Sequence, residues 1–181
     1  MTGTRPVAVN PPLVGTYRVA PAQSTIAFTT RHLFGLGVVR GSFAVQDGEI
    51  RISHPIVDST AHARIRAASF RTGNSRRDTA VTSAQFLDPE AHPYIVFTAE
   101  QVEPVDGGWV VHGLLSVRAT TRPVAVRVET ASADGPELRL RAHARVDRYD
   151  LGVTAARGMA ARHLDLDLDI LAVRSDGQDG R

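Results

Sequence analysis

From His163 the chain reads "HLDLDLDILAV", with leucine and aspartate taking turns and no interruption. A strand sends successive side chains to opposite faces, so this segment has one dry face and one wet face. A helical twist would smear both residue types around the axis. The segment from Glu137, "ELRLRAHARV", alternates in the same way with arginine in place of aspartate. Laid side by side, the two strands pair Arg139, Arg141 and Arg145 with Asp165, Asp167 and Asp169 in a solvated ladder. Leu164, Leu166, Leu168 and Ile170 then face inward, as do Leu138, Leu140, Ala142, Ala144 and Val146. The aspartate row does not read as a metal site. A flat strand spaces the carboxylates about 7 Å apart, and a calcium loop needs a glycine and a distal glutamate.

The same period runs through most of the sequence. "STIAFTTRHLF" sets Ile26, Phe28, Thr30, His32 and Phe34 on one parity. "VVRGSFAVQ", "STAHARIRA", "YIVFTAEQVE", "WVVHGLLSV" and "PVAVRVETA" follow, after a short extended segment at about 15–20. Asp47-Gly48, Asp106-Gly107-Gly108 and Asp134-Gly135 read as tight turns. The alternation breaks once, where Asn74 is placed to cap a helix over roughly Ser75 to Phe86. The fold class expected is all-β with one helix, an eight-stranded antiparallel barrel or a sandwich. Several inward residues are slight, namely Ala61, Ala63, Ala67, Gly113, Ala142 and Ala144. In a closed barrel they either let the wall collapse or leave room for a ligand.

Composition narrows the classes further. The 181 residues are 43% hydrophobic and 22% charged, the balance of one globular domain. There is no cysteine, so disulfides and thiolate metal sites are out. All 21 basic residues are arginine, which holds the pI near 9.6 at a formal charge of only +2. The arginines are dispersed, so no nucleic-acid partner is expected. The start, "MTGTRPVAVNPPLVG", has no apolar run of signal-peptide or membrane-spanning length. A cytoplasmic protein without stable membrane insertion is expected.

No nucleophile elbow, phosphate-cradling glycine loop, paired-carboxylate signature or metal-ligand histidine spacing stands out. No cofactor or metal is expected, and enzyme is the weaker class. His32 alone among the seven histidines shares a parity with apolar residues. It reads either as a buried neutral imidazole bonded to a backbone carbonyl, or as a polar anchor for a ligand headgroup. Two competing readings stay open: an isomerase or cyclase with His32 as base, and a filled barrel whose surface binds a partner.

The motifs "STIAFTTRHL", "VRGSFAV", "ASFRTGNSRRD", "FLDPEAHPYIVFTA", "VHGLLSVRATTRPVAV", "VDRYDLGV" and "LDLDLDI" occur in this order. Together they resemble the YceI-like family of polyisoprenoid-binding proteins over roughly residues 15–173. Three patterns carry the likeness by position: Ser24, Phe28, Arg31 and His32; Thr72, Gly73, Asn74, Arg77 and Asp78; and Arg148, Asp150 and Gly152. The resemblance implies an extended, lipocalin-like barrel at 15–174, between flexible segments at 1–14 and 175–181. It implies a pore that holds a long-chain isoprenoid or fatty amphiphile, and a homodimer is compatible with it. On this chain the pore lining would be Ile26, Phe28, Phe34, Phe43, Ile65, Phe86, Phe97, Trp109, Leu115 and Leu166. The polar mouth would be His32, Arg31, Arg77 and Asp78.

Overall fold

In the computed structural model, which describes residues 12–32 and 37–175, ten antiparallel strand segments close into a barrel of eight staves. The first stave is β1 (Gly15–Val19) followed by β2 (Thr25–His32), with a 3-10 turn at Pro21–Gln23 between them. The second is β3 (Gly37–Phe43) followed by β4 (Val45–Ile52). Then come β5 (Thr60–Arg66), β6 (Tyr94–Val105), β7 (Gly108–Val117), β8 (Thr120–Asp134), β9 (Glu137–Asp147) and β10 (His163–Arg174). Each stave pairs with the next in sequence, and β10 closes the ring against both β1 and β2. Ser24 marks the break between those two. Its hydroxyl donates to Ala20 O and accepts from Leu171 N at 3.1 Å, which pins the kink to β10. Closure removes the free edges that a long open sheet would expose.

The expected ladder is present on the outer face. Arg145 lies 3.8 Å from Asp165, and Arg139 and Arg141 lie 3.4 and 3.9 Å from Asp169. Asp167 stands opposite His143. These groups are exposed, so each pair adds only tenths of a kcal/mol to about 1 kcal/mol. The stronger consequence is geometric: with the charges outside, Leu164, Leu166 and Leu168 must face in.

Two expectations fail on local geometry. Asp47-Gly48 is not a turn; β4 runs through it, with a bulge between Val45 and Asp47. Arg64 on β5 forks onto the Asp47 carboxylate, with Nε 2.9 Å from Oδ1, which favours a cross-strand position. Gly48 is needed for close approach: a Cβ there would come within 2.9 Å of Val19 and 3.0 Å of the His62 carbonyl. The helix α1 (Ser75–Val81) begins where expected, with the Asn74 side chain accepting from Arg77 N, but it ends well short of Phe86. The hydroxyls of Thr82 and Ser83 bond back to Asp78 O and Ala80 O. Leu87 N then reaches back to Val81 O and closes the helix.

The expected flexible termini at 1–14 and 175–181 fall mostly on residues outside those described. Leu13 O accepts from the Tyr17 hydroxyl, and Ser175 N donates to Thr16 O, so the described ends are tied to the barrel. No helix among the described residues is long and apolar enough to cross a membrane.

Candidate functional site

The staves surround an apolar cavity of about 600 Å³, inside the range usual for small-molecule sites. Side-chain size creates it. β5 and β9 present Ala61, Ala63, Ala142 and Ala144 to the centre, where a leucine in their place would fill the void. Leu115, Val126, Leu140, Leu164, Leu166 and Leu168 face inward, yet each keeps accessible surface. That surface borders the lumen, so the wall has not collapsed. Gly113 is an exception among the slight residues. The Phe97 ring lies over it, 2.6 Å from where a Cβ would stand, so Gly113 seats an aromatic ring and leaves no room. Ala67 is packed under the mouth with Phe70 and Leu87.

The cavity is bordered by residues at both ends of the barrel, its base and its mouth. At the base Tyr17, Ile52, Leu138 and Ala172 form a buried cluster. Beside it Val102, Trp109 and Val128 pack with Ile56, which sits on the 3-10 turn Ile56–Asp58. The mouth is bordered by α1, by the connection after β9, and by Phe86 and Leu87. Just inside it Phe28, Phe43 and Phe70 pack with ring centroids 5.2 to 5.7 Å apart, a spacing favourable for offset and edge contacts.

Ile26, Phe28, Phe43, Ile65, Phe86, Phe97, Trp109, Leu115 and Leu166 all border this cavity. Phe34 lies outside the described residues. His32 ends β2 with its backbone opposite Gly37, and its side chain is likewise outside the description. Arg77 borders the cavity, half-buried, with Nη1 3.4 Å from Thr72 Oγ1. The other two polar positions do not border the cavity. Arg31 is exposed and does not border the cavity, because strand parity puts it opposite Phe28 and Thr30. Asp78 does not border it either. Its Oδ1 accepts from Thr72 N at 2.9 Å and from Thr72 Oγ1 at 2.6 Å, closing the loop ahead of α1.

Arg148 was not among the expected mouth residues, and it is the most constrained cation there. It is 8% exposed and borders the cavity. Nε donates to Ala161 O at 2.6 Å, Nη1 to Val153 O at 2.6 Å and Ala155 O at 2.8 Å, and Nη2 to Ala160 O at 3.0 Å. Burial pulls its pKa below the ordinary arginine value, yet arginine stays charged in proteins. A sequence signal existed: Arg148 continues the inward parity of Ala142, Ala144 and Val146. Beside it, burial raises the Asp147 carboxyl. Bonds from Tyr149 N and from Arg162 Nε at 2.6 Å outweigh that, and the group titrates below 3.8.

A closed antiparallel barrel with an unfilled apolar lumen and cations at its mouth belongs to the architectural class of the lipocalin-like barrels, which enclose one small ligand. The YceI-like domain matches residues 17–172, and the chain belongs to the YceI-like family. A UPF0312 protein of Serratia proteamaculans is 26% identical over 157 residues, which span 83% of this chain and 81% of that one. A UPF0312 protein of Yersinia enterocolitica is 27% identical over 157 residues, with the same shares. Among solved structures, Burkholderia cenocepacia BcnA superposes with a TM-score of 0.74 at 18% identity, covering 86% of this chain and 99% of its own. A polyisoprenoid binding domain from Saccharophagus degradans superposes with a TM-score of 0.66 at 11% identity, covering 90% and 100%. At these identities the structural likeness speaks to the fold alone.

Proposed function

We propose that this protein binds and carries an amphiphilic lipid of the polyisoprenoid kind, with the tail in the lumen and the head at the mouth. The observation that carries this reading is the unfilled hydrocarbon-lined cavity, with Arg77 and Arg148 at its mouth. Each methylene taken from water is worth roughly 0.8 kcal/mol. About ten would give on the order of 8 kcal/mol gross, the scale of micromolar binding before ordering costs. Affinity then follows tail length, and head selectivity follows the mouth. A guanidinium has five N–H groups. Arg148 gives carbonyls four bonds, which leaves one N–H for a headgroup oxygen. A phosphate or pyrophosphate head would gain further from Arg77. The polyisoprenoid binding domain of Saccharophagus degradans supports the choice of lipid class.

Binding without turnover is part of the proposal. Of the hydroxyls bordering the cavity, Thr30 Oγ1 donates to His163 O and Ser59 Oγ accepts from Ser53 N, while Thr60 and His62 border it at the start of β5. The test is to extract protein purified from its own host and examine the extract by lipid mass spectrometry, alongside titration with a fluorescent prenyl probe. The expected result is a co-purifying amphiphile and saturable probe binding that a Phe97→Asp variant loses. No amphiphile together with no probe binding would overturn the carrier role.

A further inference from the structure

We infer that the mouth of the barrel is a docking face for an anionic lipid bilayer, through which ligand passes between membrane and lumen. The inference rests on the lipid-carrier reading and adds the partner. The meander topology puts successive connections alternately at mouth and base, so each end can be read from its loops. The described mouth connections, 67–93, 118–119 and 148–162, carry seven arginines against Asp78, Asp88, Glu90 and Asp150. The base connections, 53–59, 106–107 and 135–136, carry Asp58 and Asp106 and no arginine. Among the described connections, the arginines gather at the end where Arg77, Arg148 and Met159 border the cavity.

Of the mouth arginines, Arg162 is ion-paired and Arg118 and Arg148 donate to carbonyls. Ion pairs among the described residues engage Arg64, Arg139, Arg141, Arg145 and Arg162, leaving Arg71, Arg76, Arg77 and Arg157 outside all of them. Three guanidiniums, those of Arg148, Arg157 and Arg162, gather over the single ring of Tyr149 at 4.7, 5.1 and 5.3 Å. Arg162 is paired with Asp147 and Asp150, whereas Arg157 stands beside Arg148 without a carboxylate partner among the described residues, a charge that anionic headgroups would balance. At the same lip Met159 is 73% exposed and borders the cavity. An exposed apolar side chain between Arg157 and Arg162 in the chain suits the headgroup layer of an anionic bilayer, with the methionine entering and the guanidiniums on phosphate. A lipid leaving the bilayer then meets the lumen without crossing water.

The experiment measures sedimentation of the full chain with vesicles of mixed phosphatidylglycerol and phosphatidylcholine, against phosphatidylcholine alone. Binding is expected to the anionic vesicles only, and to collapse at about 1 M salt, where the screening length is roughly 3 Å. An arginine near an anionic surface multiplies partitioning about fivefold, so the Arg76→Glu/Arg157→Glu variant should lose more than about tenfold. Met159→Asp should weaken it as well. Arg76 and Arg157 are exposed and do not border the cavity, so in that double variant the fold and probe binding in free solution should persist. Equal partitioning onto both vesicle types, no partitioning, or no response to charge reversal would overturn the docking face. So would capture of an acidic protein by a chain that ignores vesicles. Probe titration in free solution reads the carrier role separately, so the two failures are told apart.

Discussion

At Arg148 a full positive charge is held nine-tenths buried by carbonyl dipoles instead of a carboxylate. The arrangement stitches 153–161 into a rim above the lumen, since one guanidinium gathers carbonyls from Val153, Ala155, Ala160 and Ala161. Hydrogen bonds to a charged group are each worth about 1.5–3 kcal/mol, although water replaces part of the loss once the rim loosens. Arg148→Met should therefore cost on the order of 2–4 kcal/mol in urea denaturation. It should also expose the 153–161 rim to limited proteolysis. An unchanged unfolding midpoint would mean the rim holds itself up. Gly113 teaches a related lesson at the wall. Gly113→Ala should cost about 1–3 kcal/mol by displacing the Phe97 ring, and thermal unfolding reads it directly.

The elements depend on a few committed contacts. α1 is only seven residues long, too short to persist without its cap and its packing against the mouth. Asn74→Ala removes the acceptor for Arg77 N and should cost about 1 kcal/mol. The same change should weaken probe binding, because Arg77, Ala80 and Val81 border the cavity from this helix. Loss of stability with unchanged probe affinity would show that α1 does not shape the mouth. In β4 the Asp47–Arg64 fork replaces the turn that the Asp-Gly dipeptide suggested. The hydrogen bond from Arg64 lowers the Asp47 pKa, and Asp147 is lowered as well, with bonds from Tyr149 and Arg162 outweighing burial. A carboxylate with a depressed folded pKa stabilises fully above its unfolded value and loses that contribution as pH falls through the folded one. Stability should then hold from neutral pH down to about 4 and decline below 3.8, the ordinary value of both groups. Asp47→Asn and Asp147→Asn should flatten that decline in pH-dependent denaturation.

For the whole molecule the deciding property is that the interior is not filled. Ala144→Phe places a ring in the lumen opposite Val126 and Leu166. Displacing even two methylenes of ligand, about 0.8 kcal/mol each, should weaken probe binding by more than about tenfold. Because the ring enters empty space, the melting temperature should not fall. Unchanged binding would place the ligand elsewhere. Alternation alone determined most of the staves, the outer ion-pair ladder and the inward row from Leu164 to Ile170, and hence an antiparallel barrel or a sandwich. Strand parity is local and survives any tertiary arrangement. Most of the lining was legible for the same reason, and so was the outward placement of Arg31. Tertiary structure decided what parity cannot encode. Whether Asp47-Gly48 turns or runs on depends on Arg64 and on Val19 from another stave. Whether Gly113 makes room or seats a ring depends on Phe97. Whether Asp78 faces a ligand depends on Thr72. The void itself is a sum over eight staves at once: no segment carries it, and only closure of the ring turns scattered alanines into a cavity.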